Sequence, residues 1–105
     1  MEIIDTLSNL SVGTVDLTSD ANKDPAPDLM DVSPDGQYVF VGLRGPSPLA
    51  GNDKHIRNAK GTIPGIGVIH VDAAGEVGHY KGQAVITNMK DGKETADTHG
   101  IAVRK

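Results

Sequence analysis

Chemistry in this chain has to be done without cysteine, so thiolate nucleophiles, disulfides and Cys-ligated zinc are excluded. Four imidazoles remain: His55, His70, His79 and His99. None stands at metal-ligand spacing, since there is no HExxH and no i, i+2 or i, i+4 pair. His70 and His79 fall in strand-like runs and read as polar strand residues facing solvent or a neighbouring sheet. His99 stands differently. In "ADTHGIAV", Asp97 and His99 directly precede an apolar run. An Asp and a His at the mouth of a strand can bind a ligand, hold a metal with help from elsewhere, or pass a proton. The plainer reading has them capping turns through side-chain-to-backbone hydrogen bonds. A weak internal repeat adds Asp28 to the set. Met30-Asp31-Val32 lines up with Ile101-Ala102-Val103, which puts Asp28 opposite His99.

Charge is unevenly distributed. Asp16, Asp20, Asp24, Asp28, Asp31 and Asp35 face only Lys23, whereas Arg44, Lys54, Arg57 and Lys60, with His55, face only Asp53. Those four cations and the Gly-rich "GTIPGIG" form a candidate anion-binding loop, with backbone N–H groups assisting. The alternative is a solvated loop whose charges complement the acidic segment. The net charge of -4 argues against general nucleic-acid or membrane-surface binding. No apolar window of about 18 residues is present, so no helical membrane insertion is expected. "MEIIDTLSNL" has neither the basic start nor the apolar length of a signal peptide. Phosphate-loop, dinucleotide, nucleophile-elbow, EF-hand and SxxK motifs are all missing. No cofactor or metal is implied. Asn9-Leu10-Ser11 is a glycosylation sequon of the kind that arises by chance.

The elements that must position these residues are strands. Thirteen Gly and six Pro cut the chain into short runs, and no stretch keeps a helical apolar period over three turns. Strands are expected at Glu2–Thr6, Val12–Leu17, Leu29–Ser33, Tyr38–Leu43, Gly67–Asp72, Glu76–Lys81 and Gly100–Arg104, with Ala84–Asn88 as a weaker candidate. The most informative stretch is "DVSPDGQYVFVGLRG", Asp31 to Gly45. Pro34 presets φ for the first turn position, Asp35 tolerates the second, and Gly36 supplies a positive φ. The strand Tyr38-Val39-Phe40-Val41 is apolar on both faces, which suits a strand covered on both sides. Residues 3–13 also align without gaps on 68–78, pairing Ile4 with Ile69 and Gly13 with Gly78.

Ser33-Pro34-Asp35-Gly36 followed by Phe40-Val41 resembles the "SPDG…YV" signature of YVTN-type β-propeller repeats, among the lactonase-like and quinoprotein amine dehydrogenase β-chain-like propellers. The signature covers one hairpin, and the strand order extends the likeness over most of the chain. Gly42 and Leu43 stand where the family pattern has Thr or Ala and Asn, so no role of that Asn carries over. The resemblance implies an all-β chain of antiparallel four-stranded blades. Residues 1–20 would hold the outer strands of a preceding blade and residues 27–82 a complete blade. Residues 96–105 would hold the inner strand of a following one. The repeat spacing exceeds the ~40–50 residues of a usual blade, and the excess falls in the loop 45–64.

On this reading the chain is part of a larger propeller, because stacked sheets need about three or more repeats to bury their faces. The expected function is structural and ligand- or protein-binding, without a complete active site in this chain. The enzymatic alternative has Asp28, Asp97 and His99 contributing to a channel-mouth site of a lactonase-like or quinoprotein-type enzyme. A third reading is a small β-domain that associates with itself through open strand edges. Expected partners are accordingly the remaining blades or a second copy, and a small-molecule or protein ligand. An extracytoplasmic location is implied by the resemblance only.

Overall fold

The SPDG turn forms as its residues require. Gly36 adopts φ 73° and its N–H donates to the Ser33 carbonyl at 2.9 Å. Asp35 accepts from the Gln37 N–H at 3.0 Å, and the Ser33 hydroxyl accepts from the Tyr38 N–H at 2.9 Å. In the computed structural model, which describes residues 1–47 and 59–104, this turn joins the first two strands of the largest sheet.

The described residues are all-β and antiparallel, with eight strands in three sheets. Strands β1 (Glu2–Asp5) and β2 (Leu10–Thr14) form a hairpin. Strands β3 (Pro27–Val32), β4 (Tyr38–Leu43), β5 (Gly65–Val71) and β6 (Gly78–Val85) form a four-stranded sheet in that order. Strands β7 (Met89–Lys90) and β8 (Lys93–Glu94) make a small third hairpin. It turns on Asp91 and Gly92, both with positive φ, as the favoured two-residue hairpin loop demands.

Three sequence expectations need correction. The weak strand Ala84–Asn88 divides: Ala84 and Val85 end β6, and the hairpin at Asp91-Gly92 follows. Residues 100–104 form no ladder strand. They run beside β3, tied by the Leu29 N–H to the His99 carbonyl at 3.2 Å and the Val103 N–H to Asp31 Oδ2 at 2.8 Å. The repeat is also displaced by two residues. Asp5 and Asp72 open equivalent loops, each accepting loop N–H groups on its carboxylate. Asp5 pairs with Leu10, and Asp72 bonds to Val77. Turn chemistry therefore sets the correspondence, and a two-residue slip keeps every side chain on its face.

The core lies on one face of the four-stranded sheet. Val41, Leu43 and Ile69 pack with Val15 and Leu17, which follow the β1–β2 hairpin, and Ile3, Val39, Val71 and Tyr80 flank them. Two glycines let the layers approach. A Cβ on Gly78 would sit 2.7 Å from Val15 Cγ2, and one on Gly13 would sit 2.9 Å from the Glu76 carbonyl oxygen. A buried polar pin holds the connection between β2 and β3. The Asn22 amide donates to Gln83 Oε1 at 2.8 Å and to the Ile63 carbonyl at 3.3 Å.

The opposite face is only partly covered. Tyr38, Phe40 and Gly42 pair across the ladder with His70, Val68 and Ile66. Phe40, Ile66, Val68 and His70 remain half-buried, while Gly42 lies beneath the Thr98 carbonyl. Each buried branched side chain on the core face contributes roughly 1.5–3 kcal/mol. Leu43→Ala should therefore cost about 2–5 kcal/mol, including the cavity it leaves. Leu7→Ala, at a residue 94% exposed, should stay within ~0.5 kcal/mol of the parent chain in urea unfolding.

Candidate functional site

Four charged or titratable side chains meet where β3 begins and β4 ends. Asp28 lies in β3, one residue after its first. Arg44 directly follows β4, where its N–H donates to the Ala26 carbonyl at 2.9 Å and holds the backbone in place. Asp97 and His99 come from the segment after β8, which crosses the end of β4 with its Ala96 and Thr98 carbonyls against Gly45 and Gly42. A Cβ on Gly45 would overlap the Ala96 carbonyl oxygen, and one on Gly42 would press on the Thr98 carbonyl oxygen at 3.1 Å.

Arg44 and Asp97 form a bidentate pair. Nε donates to Oδ1 at 3.0 Å and Nη2 to Oδ2 at 2.7 Å, with the Gly45 N–H adding a contact to Oδ1 at 3.4 Å. Both side chains are withdrawn from water, at 9% and 5% exposed. Asp28 Oδ2 lies 3.5 Å from Arg44 Nη1 and 3.1 Å from His99 Nδ1. His99 Nε2 lies 2.9 Å from Arg44 Nη2 and 3.1 Å from Asp97 Oδ2. The guanidinium therefore bridges two carboxylates and the imidazole.

Arg44 Nη2 carries two hydrogens, one directed to Asp97 Oδ2 and one to His99 Nε2. His99 Nδ1 faces Asp28 Oδ2, and Nε2 faces both Arg44 Nη2 and Asp97 Oδ2, so which nitrogen donates follows from the tautomer. Both ring nitrogens are engaged within the protein, although the side chain is 45% exposed. The Arg44 guanidinium, by direct hydrogen bonding and against the desolvation of burial, holds the Asp97 carboxyl below the usual carboxylate range. Asp97 in turn raises the Arg44 guanidinium above its already high value.

The structure thus brings together Asp28, Asp97 and His99, and adds Arg44, which the sequence had assigned to a different group. Of the four cations of the candidate anion-binding loop, Arg44 is taken up by carboxylates and Lys60 is exposed. Lys54 and Arg57, like His55, lie outside the described residues. His70 and His79 lie at the other end of the sheet, directly opposite each other on β5 and β6. Among the described residues no group of three or more His, Cys, Asp or Glu could hold a metal ion. A guanidinium already supplies the positive charge between Asp28 and Asp97. Sequence reasoning also missed Asn22, buried among loop residues, whose only signal is a polar residue within an acidic stretch. No protein family, curated protein or solved structure matches the chain.

Asp97→Asn should cost ~3 kcal/mol, because removing one partner strands a desolvated charge on the other. The pH dependence has a definite sign. The folded Asp97 carboxyl lies below its ordinary value of 3.8, so the unfolded chain binds its proton first. Its contribution is complete above the unfolded value and is lost as pH falls through the folded one. Urea unfolding across the acid range should show this loss in the parent chain and a smaller one in Asp97→Asn.

Proposed function

We propose that this chain is a structural and binding unit of a YVTN-type β-propeller, with no complete active site of its own. The observation that carries the non-catalytic part is the state of His99. Its Nδ1 is held by Asp28 and its Nε2 faces Arg44 and Asp97. An imidazole with both ring nitrogens within 3.1 Å of protein groups has neither nitrogen turned to a substrate. The cluster is a clasp that fastens the segment around Asp97 to the ends of β3 and β4.

The layer arrangement supports the propeller part. A four-stranded antiparallel sheet carries on one face Val15 and Leu17, which follow the β1–β2 hairpin, with Ile3 beside them, and among the described residues the crossing segment meets the other face at Gly42. The uncovered remainder, with Phe40, Ile66 and Val68 half-buried, suits another sheet packed against it. The remaining blades would be the partner for that face. A ligand would be bound by loops at the ends of the strands, where such folds carry their sites.

Two measurements test this reading. Sedimentation of the isolated chain should show association or non-cooperative unfolding, because one sheet face lacks its cover. A monodisperse monomer that unfolds cooperatively would overturn the multi-sheet reading. Assays with lactones and with primary amines should show no turnover. Any turnover by the purified chain that disappears in His99→Ala would overturn the non-catalytic reading.

A further inference from the structure

The end of the sheet away from the clasp carries a second set of side chains, independent of the propeller reading. His70 on β5 and His79 on β6 are directly opposed residues of an antiparallel pair. Their neighbours fix the face. Ile69 pairs with Tyr80 and Val71 with Gly78, and Ile69, Val71 and Tyr80 belong to the core. His70 and His79 therefore share the other, partly open face. There the rings of Tyr38 and His70 meet edge-on, 5.2 Å between centroids. Tyr38, paired with His70 on β4, extends the row to three strands.

Opposed residues on one face have Cβ atoms about 4.5–5.5 Å apart. An ion with bonds of about 2.0–2.1 Å to imidazole nitrogen needs its two nitrogens about 3 Å apart. Imidazoles on residues opposed across a ladder can reach that separation by rotating about their side-chain torsions, and the strands hold their backbones in register. His79 is exposed and His70 half-buried, so water can fill the remaining coordination positions. The Tyr38 ring lies on the β4 side of His70, so chelation with His79 on β6 exchanges that edge contact for a metal bond. Asp72, at the turn that joins these strands, adds negative charge nearby. Its carboxyl is held low chiefly by the Val77 and Glu76 N–H groups, with His79 contributing.

We propose that His70 and His79 chelate one late first-row divalent ion across the β5–β6 ladder, with Cu(II) preferred over Ni(II) and Zn(II). The donor set decides the class. Two imidazoles with water select these metals over the oxygen-seeking Mg(II) and Ca(II), and the ordering among them follows their general affinities. A bound ion would also staple the edge strand β6 to β5. That strand is interrupted by a register shift between Val68 and Ile69, where Gly82 takes φ 123°.

The test is titration of the full chain with Cu(II) alone, followed by paramagnetic broadening of amide signals and by thermal unfolding. Broadening should begin at residues around His70 and His79, and the melting temperature should rise with the metal. His70→Gln and His79→Gln should each weaken binding by about tenfold or more, at least the loss that outer-shell changes produce. Broadening that begins at His99, His55 or the N-terminal amine would overturn the proposal. So would the absence of binding, or a single variant that binds as the parent does. The broadening map on the parent chain needs no variant, so a poorly folding variant leaves the question decidable.

Discussion

The bidentate pair between Arg44 and Asp97 is the contact on which the far end of this structure depends. It joins side chains 53 positions apart, the first at the end of β4 and the second in a segment that forms no ladder strand. Without a hydrogen-bonded ladder, that segment has few ways to stay on the sheet. The pair supplies two charge-assisted bonds, His99 Nε2 lies 2.9 Å from Nη2, and Asp28 adds an ion pair to Nη1 at 3.5 Å. Taking two charges out of water costs several kcal/mol per ion unless geometry and further hydrogen bonds compensate. Here both conditions are met.

The apolar core works at the other face by close approach. With one Phe, two Tyr and no Trp, the chain cannot fill a wide gap between layers. Gly13 and Gly78 let backbone stand where side chains would otherwise keep the layers apart. Val15, Leu17, Val41, Leu43 and Ile69 then form a compact cluster. On the other face Phe40, Val68 and His70 are half-buried. The core face is filled over β4 and β5 and opens along β3, where Met30 and Val32 are exposed, and the polar features divide between the two ends of the sheet. The clasp closes one end through ion pairing, and the opposed histidines mark the other.

Much of the strand order was legible, because turn residues punctuate the chain. Ser33-Pro34-Asp35-Gly36 and the Gly75 loop each specify a hairpin through local φ requirements, and those hairpins are present. The Asp91-Gly92 hairpin carried an equally local signal, and its dipeptide could have been read the same way. The gapless repeat misled by two residues because apolar identity recurs every second position in any strand. The equivalent loops are marked by Asp5 and Asp72, whose carboxylates bond their own turns. His99, Asp97 and Asp28 were grouped from their place before apolar runs, a pattern that holds information about topology. Arg44 was grouped with the wrong cations, since neighbours in sequence say little about a side chain at a strand end.

What the sequence by itself determined is local: short strands, glycine-dependent turns, an antiparallel all-β chain, and the absence of thiol chemistry. These follow from φ preferences and period-two alternation, which act over a few residues. Only the tertiary structure decided that Arg44 is buried against Asp97, that both nitrogens of His99 are engaged, and that His70 stands opposite His79. Each of those facts depends on the register between distant strands. Register is set by how whole faces pack and where ladders shift, so it is a property of the assembled sheet.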